Sequence, residues 1–210
     1  DNIIADSSQG YVSKAARDDG LESIRQYVQS ADYLHIDPAA FELYRDEGGE
    51  YRWRLLHENG NILANSSQGY ASRRGARQGV DTVQETVATD GNTEFEVYED
   101  SAGEFRFRLV HQNENIIADG DQGFSSEQAA NAAVERIRGY APEAHVLDIE
   151  SAAFEIYEDE GGDWRWRLRH RNGNIMADGS QGYASRTGAE DGLNSVKQNA
   201  PEAEIEAVDS

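Results

Sequence analysis

Internal repetition constrains this 210-residue chain more than any other feature. The segment Asn2-Ile3-Ile4-Ala5-Asp6, closing with Gln9-Gly10-Tyr11, recurs three times. Its later copies begin at Asn61, Asn115 and Asn174 and close with Gln68-Gly69-Tyr70, Gln122-Gly123-Phe124 and Gln181-Gly182-Tyr183. Ahead of those three copies stands a second segment: Phe41-Glu42-Leu43-Tyr44, Phe95-Glu96-Val97-Tyr98 and Phe154-Glu155-Ile156-Tyr157. Between the two lies an alternating run, Tyr51-Arg52-Trp53-Arg54-Leu55, Phe105-Arg106-Phe107-Arg108-Leu109 and Trp164-Arg165-Trp166-Arg167-Leu168. The Gln-Gly pairs are 59, 54 and 59 residues apart, so a pair of repeats is duplicated with a higher period of 113. A fixed period of this length marks units that bury their apolar faces against one another. The first copy starts mid-repeat, which implies a fragment or a partner that supplies its first two strands.

Each repeat reads as three strands and a helix. Strict alternation of aromatic and Arg is the period of two of a strand with one buried face. Glu47-Gly48-Gly49 separates the first two strands with glycines suited to the positive φ of a hairpin turn. If Asp46 faces Glu50, then Phe41 opposes Leu55, Leu43 opposes Trp53, Glu42 opposes Arg54 and Tyr44 opposes Arg52. One face is then apolar and the other is a ladder of Glu, Tyr and Arg. Asn59-Gly60 and Asn172-Gly173 signal two-residue turns into the third strand, and Asn113-Glu114 is the less typical variant. This register sets His57 against Ile62, Leu56 against Leu63, Val110 against Ile117 and Arg169 against Met176. Apolar pairs on a polar face point either to a covering surface or to simple exposure at the edge of the sheet.

The helix follows Gln-Gly-aromatic. Ser13, Ser72, Ser126 and Ser185 are placed to cap it, accepting from amides of the first turn that have no helical partner. Apolar residues fall 8, 11 and 15 positions later, at Leu21, Ile24 and Val28 in the first copy and Val80, Val83 and Val87 in the second. The third copy has Val134, Ile137 and Ala141, and the fourth Leu193, Val196 and Ala200, which is one buried stripe at helical spacing. The seventh position is always small (Gly20, Gly79, Ala133, Gly192), allowing the helix to lie close on the sheet. A fourth strand is expected over Tyr33–Ile36, His145–Ile149 and Glu204–Val208, and is missing after the second helix.

These elements together resemble the YegP-like family of small uncharacterised domains. The resemblance spans three full copies and one partial copy. It implies an α+β fold of tandem β-β-β-α-β repeats, pairing into antiparallel sheets with one helix per repeat and exchanged C-terminal strands. It implies no activity, cofactor or catalytic residue. The expected domains are residues 1–90, with an incomplete first repeat and the second at 41–90, and residues 91–210, with repeats at 91–150 and 151–210. The boundary falls near Asp90-Gly91-Asn92.

Charge narrows the function classes. Asp and Glu number 40 against 19 Lys and Arg, a formal charge of −21, and only Lys14 and Lys197 are lysines. This balance resembles proteins of a cytoplasm kept at molar salt, where a Debye length of about 3 Å screens self-repulsion. It disfavours a phosphate-binding surface. Cysteine is absent, which removes disulfides and thiol chemistry. No apolar run approaches the roughly 20 residues of a membrane helix.

Three features could carry function. The ladder Tyr44, Arg52, Arg54, Tyr98, Arg106, Arg108, Tyr157, Arg165 and Arg167 could be an interaction face or a nucleic-acid platform. Its structural reading is cross-strand pairing of Glu42 with Arg54, Glu96 with Arg108 and Glu155 with Arg167. The Gln-Gly-aromatic motif could present amides to an anion, or be a turn in which the aromatic packs and Gln caps backbone groups. His57, His111 and His170 are aligned but lack neighbouring metal ligands. Phosphate loops, nucleophile elbows and zinc-binding helices are missing. The chain therefore reads as a non-enzymatic interaction or assembly module, without metal or cofactor, for a protein partner or itself. The competing readings are a nucleic-acid-associated protein and an enzyme of unknown chemistry.

Overall fold

The computed structural model describes residues 5–7, 10–89, 93–120, 122–147 and 149–203. Contacts divide the chain into a continuous unit, residues 35–148, and a split unit, residues 1–34 with 149–210. Repeats two and three thus share one unit and repeats one and four the other, so the division expected at residue 90 is not where contacts separate. Residues 90–92 themselves lie outside the described residues, as does the strand expected at 204–208.

In the continuous unit the second repeat contributes β2 (Ala39–Arg45), β3 (Tyr51–His57), β4 (Ile62–Ser66) and α2 (Arg73–Ala88). The third contributes β5 (Thr93–Glu99), β6 (Phe105–His111), β7 (Ile116–Asp119), α3 (Glu127–Tyr140) and β8 (His145–Leu147). They form one seven-stranded sheet in the order β5-β6-β7-β4-β3-β2-β8. The repeats meet twice: β4 and β7 pair antiparallel at its centre, and β8 lies parallel to β2. In the split unit the first repeat supplies α1 (Lys14–Val28) and β1 (Asp32–Tyr33). The fourth supplies β9 (Ala152–Glu158), β10 (Trp164–His170), β11 (Ile175–Asp178) and α4 (Arg186–Asn199). Here β1 runs parallel to β9, and Asp6 bridges to Asp178 as Asp119 pairs with Asn65. Each unit therefore shows a last strand donated in one direction. The fold is α+β, with helices on one face of mixed sheets.

The register of the first hairpin is the one the alternation dictates. Phe41 pairs with Leu55, Glu42 with Arg54, Leu43 with Trp53 and Tyr44 with Arg52. Four serines cap the helices, accepting from Ala16, Gly75, Ala129 and Gly188 amides at 3.1 to 3.2 Å. Each full repeat's helix packs on its own two opening strands: α2 on β2 and β3, α3 on β5 and β6, α4 on β9 and β10. Trp53, Phe107 and Trp166 are buried at the centre of that contact.

The second turn differs from the expected two-residue hairpin. Gly60 N–H donates to the His57 carbonyl, Gly60 takes φ 83°, and His57 N–H donates to Asn61. This is a type I turn followed by a left-handed residue, the three-residue loop that carries a bulge. The register slips between Leu55 and Leu56, so Leu56 pairs with Ile62, Val110 with Ile116 and Arg169 with Ile175. His57 accordingly meets Asn61 rather than Ile62. Leu63, Ile117 and Met176 pack against the cores, so the apolar pairs on the polar face are Leu56 with Ile62 and Val110 with Ile116 rather than the expected Leu63 and Ile117.

Candidate functional site

The predicted Arg and Tyr residues share the sheet face away from the helices, and there carboxylates neutralise the arginines. Arg54 binds Glu42 at 2.5 Å, Arg108 binds Glu96 at 2.7 Å and Arg167 binds Glu155 at 2.6 Å. Each of these guanidiniums also lies over a tyrosine ring: Arg54 over Tyr44 at 4.8 Å, Arg108 over Tyr98 at 5.3 Å, Arg167 over Tyr157 at 4.6 Å. The stack desolvates the phenols, and burial pushes Tyr44 and Tyr157 above their ordinary pKa. The Glu96 pair is partly exposed, whereas the carboxylates of Glu42 and Glu155 are almost wholly buried. Burial pushes Glu155 up, but Arg169 and Arg167 outweigh it and hold the carboxyl below the usual range.

The other arginine of each strand takes a partner that sequence alternation did not single out. Arg52 binds Asp46 at 2.6 Å, Arg106 binds Asp100 at 2.6 Å and Arg165 binds Asp159 at 2.5 Å. Each Asp opens the first hairpin turn and also accepts a backbone N–H across it, from Glu50, Glu104 and Asp163. The hydrogen bond from each Arg is the main reason these three carboxyls titrate below their ordinary value. The available signal was an Asp six residues before an Arg in every full copy.

The Gln-Gly-aromatic motif lies where the sheet of each full repeat meets the start of its helix. Tyr70, Phe124 and Tyr183 form backbone bridges to Tyr51, Phe105 and Trp164, closing each repeat's sheet onto the start of its helix. Gly69, Gly123 and Gly182 lie against Glu50, Glu104 and Asp163. Gln68, Gln122 and Gln181 are exposed, and Gln9 lies outside the described residues. Gly10 and Tyr11 are exposed, and no described residue plays Tyr51's part for Tyr11.

The histidines are turn residues. Nδ1 of His57, His111 and His170 accepts from the amides of Asn59, Asn113 and Asn172 at 3.2 to 3.4 Å. Tyr140 packs on His57 and Tyr27 on His170, each from the end of the helix in the donating repeat. Among the described residues no three His, Asp or Glu side chains gather as metal ligands, and no helix is long and apolar enough to cross a membrane.

The chain matches a domain described as a domain of unknown function, DUF1508, over residues 1–34, 46–94, 100–148 and 159–206. A UPF0339 protein in the ptx operon 5′ region of Stutzerimonas stutzeri is 30% identical over 109 residues, 52% of this chain and 95% of that protein. A UPF0339 protein of Methanosarcina acetivorans is 60% identical over 52 residues, 25% of this chain and 88% of its own length. Among solved structures, yegP from E. coli, of unknown function, is 23% identical with a TM-score of 0.47, covering 55% of this chain and 95% of that one. A protein from Haloferax volcanii is 47% identical with a TM-score of 0.27, covering 29% of this chain and all of its own.

Proposed function

Since the chain belongs to the DUF1508 family, whose function is unknown, its task has to be read from its surfaces, and we propose a non-enzymatic interaction or assembly module. The observation that carries this reading is the way the repeats join. The described strand ladders between repeats are all strand additions: β4 to β7, β8 to β2 and β1 to β9. The unit of recognition in this chain is thus a sheet edge, and main-chain hydrogen bonds at such an edge bind any extended segment that presents itself. Of the three opening strands β2, β5 and β9, only β5 has no described strand on its outer side, since β2 and β9 are flanked by β8 and β1. The partner is a protein or a further copy of the chain. The paired state of the six ladder arginines leaves little positive charge for phosphates, and the net charge of −21 opposes them. The working medium is a high-salt cytoplasm, a reading supported by the acidic, lysine-poor composition.

Light scattering coupled to size exclusion in molar KCl, with absorbance at 260 and 280 nm, tests it on protein from its native source. The expected particle has a protein-like spectrum and a mass above that of one chain. A peak rich in 260 nm absorbance, or a monomer at every concentration with no protein bound, would overturn the assignment.

A further inference from the structure

Each helix carries a hydrogen-bond donor twelve positions after its capping serine: Arg25, Gln84, Arg138 and Lys197. Three of the four hold a carbonyl of another repeat. Gln84 Nε2 donates to Ala141, Pro142 and Ala144 at 3.2, 3.3 and 2.8 Å, immediately ahead of β8. Lys197 Nζ donates to Ala31 at 2.8 Å, immediately ahead of β1. Arg25 donates to Ala203. Ala31, Ala144 and Ala203 each stand eighteen positions after a capping serine, so one carbonyl is held in the same way three times.

Arg138 is in the same place and, among the described residues, holds no such carbonyl. It lies over the ring of Phe95 at 5.0 Å, as Lys197 lies over Phe154 at 5.2 Å, and pairs with Glu135 at 3.6 Å. The strand it would hold is the one following α2. Only residues 89–92 lie between α2 and β5, whereas residues 29–38 and 141–151 carry β1 and β8 to the next opening strand. A link that short spans at most about 14 Å fully extended, too little to lay down a strand and turn back. The phenylalanines record the difference. Phe41 and Phe154, flanked by β8 and β1, are 0% exposed, whereas Phe95 is only partly buried. Beside it a cleft of about 110 Å³ opens between Val87, Phe95, Leu109 and Arg138, with room for one aliphatic side chain.

We infer that the outer edge of β5 is a strand-addition site for an extended segment of a partner protein, reading Ala-x-(Tyr or Val)-Leu and running parallel to β5, with its alanine carbonyl on Arg138. Resting on the assembly reading above, this site gives it an edge and a ligand chemistry. The occupant is read from the two filled edges. Val146 pairs with Phe41 and Tyr33 with Phe154, both in parallel ladders. A leucine comes next in each, and the Leu34 N–H donates to the Phe154 carbonyl at 2.7 Å. The same segment at β5 sets its third residue against Phe95 at the cleft and its backbone on the edge. In this chain residues 31–34 and 144–147 have that chemistry, and both are engaged at β9 and β2, which leaves β5 to a partner.

The test titrates the whole chain in molar KCl with a fluorescently labelled peptide of residues 141–150. Saturable binding is expected, with slowed amide exchange in β5. The same peptide N-methylated at Leu147, the position of the Leu34 donor, leaves the protein untouched and should not bind. Arg138→Ala, on an exposed part of α3, should weaken the parent peptide at least about tenfold, the loss of one charge-assisted hydrogen bond. Equal binding of both peptides, or none, would overturn the inference. So would slowed exchange confined to β2, which would mean that the peptide only displaces β8. Self-association of the chain that the peptide competes away would make the occupant a second copy and overturn the choice of partner. If the peptide fails while light scattering still shows a protein assembly, the edge is wrong and the assembly role stands.

Discussion

The hydroxyl of Tyr70 explains a glycine inside a helix. A Cβ placed at Gly79 would lie 2.3 Å from that oxygen, and the same crowding recurs at Gly20 with Tyr11 and at Gly192 with Tyr183. In the third repeat the aromatic is Phe124, which has no hydroxyl, and the helix position is Ala133, which is buried and fits. The small residue is therefore matched first to the tyrosine, with Nε1 of Trp53 on the sheet the next group a Cβ at Gly79 would meet, at 3.1 Å. Gly79→Ala adds about 1 kcal/mol of helix propensity but overpacks a buried contact at a cost of about 1 to 3 kcal/mol. The single substitution should destabilise in urea titration. In a Tyr70→Phe background, Gly79→Ala should become neutral or stabilising. Equal effects in both backgrounds would break the link. Glu114 is the converse case, at φ 68° where Gly60 and Gly173 take 83° and 86°. A left-handed non-glycine residue costs about 1 to 2 kcal/mol, and the extra freedom of an unfolded glycine returns about 0.4 to 1 kcal/mol of that. Glu114→Gly should stabilise by about 0.5 to 1 kcal/mol, read as a higher urea midpoint at unchanged slope. Sequence gave warning of both sites, as an invariantly small helix position and an irregular Asn-Glu turn. It could not say which atom needed the space.

Strand pairing was legible in proportion to how many faces had to agree. The β2–β3 register satisfies an apolar face and a Glu–Arg face at once, so a one-residue slip would spoil both. The loop after β3 had no such check. Asn-Gly serves two-residue turns as well as the bulged loop found here, and only the backbone bonds of His57 and Gly60 separate them. The partnering of repeats was less legible still, because near-identical edges fit each other equally well and the alternation of 59 and 54 residues says nothing about which meet. One element contact carries its own pH signature. At the centre of the split unit Asp178 faces Asp6, where the continuous unit sets Asn65 against Asp119. Burial first, then the facing Asp6 carboxylate, raises Asp178 above its ordinary value of 3.8. A raised carboxyl contributes stability that is present below the unfolded value and lost as pH rises through the folded one. Asp178→Asn should thus stabilise the protein at neutral pH, with the gain shrinking as pH falls toward 3.8. Urea titrations of variant and parent across that range measure it, and a constant difference would show that the two carboxyls do not interact.

At the scale of the whole molecule, 21 excess negative charges must be confined in a chain whose Leu, Ile, Val and Phe make up under a fifth of its residues. Little apolar area is available to offset that self-repulsion, so the ionic medium becomes part of the fold's stability. Added salt acts in two opposing ways. It weakens exposed pairs such as Arg106 with Glu104 and Arg77 with Asp81, each worth at most about 1 kcal/mol. It also screens repulsion summed over the whole surface, as the Debye length falls from about 10 Å at 0.1 M to about 3 Å at 1 M. The deeply buried carboxylates of Glu42 and Glu155 are screened little and keep their arginines at any salt. Screening should therefore win. Between 0.1 and 2 M KCl the thermal midpoint is expected to rise by at least about 2 to 4 °C, the equivalent of about 1 kcal/mol for a chain of this length. The shape of the rise identifies its cause. A screening effect levels off once the Debye length is shorter than the spacing of neighbouring charges, and is the same for chloride and sulfate at equal ionic strength. Strengthened apolar burial keeps rising with concentration and favours sulfate. A midpoint that is flat or falls with KCl would mean that the acidic surface is already balanced by its local arginine pairs, and that high salt is no part of this protein's design.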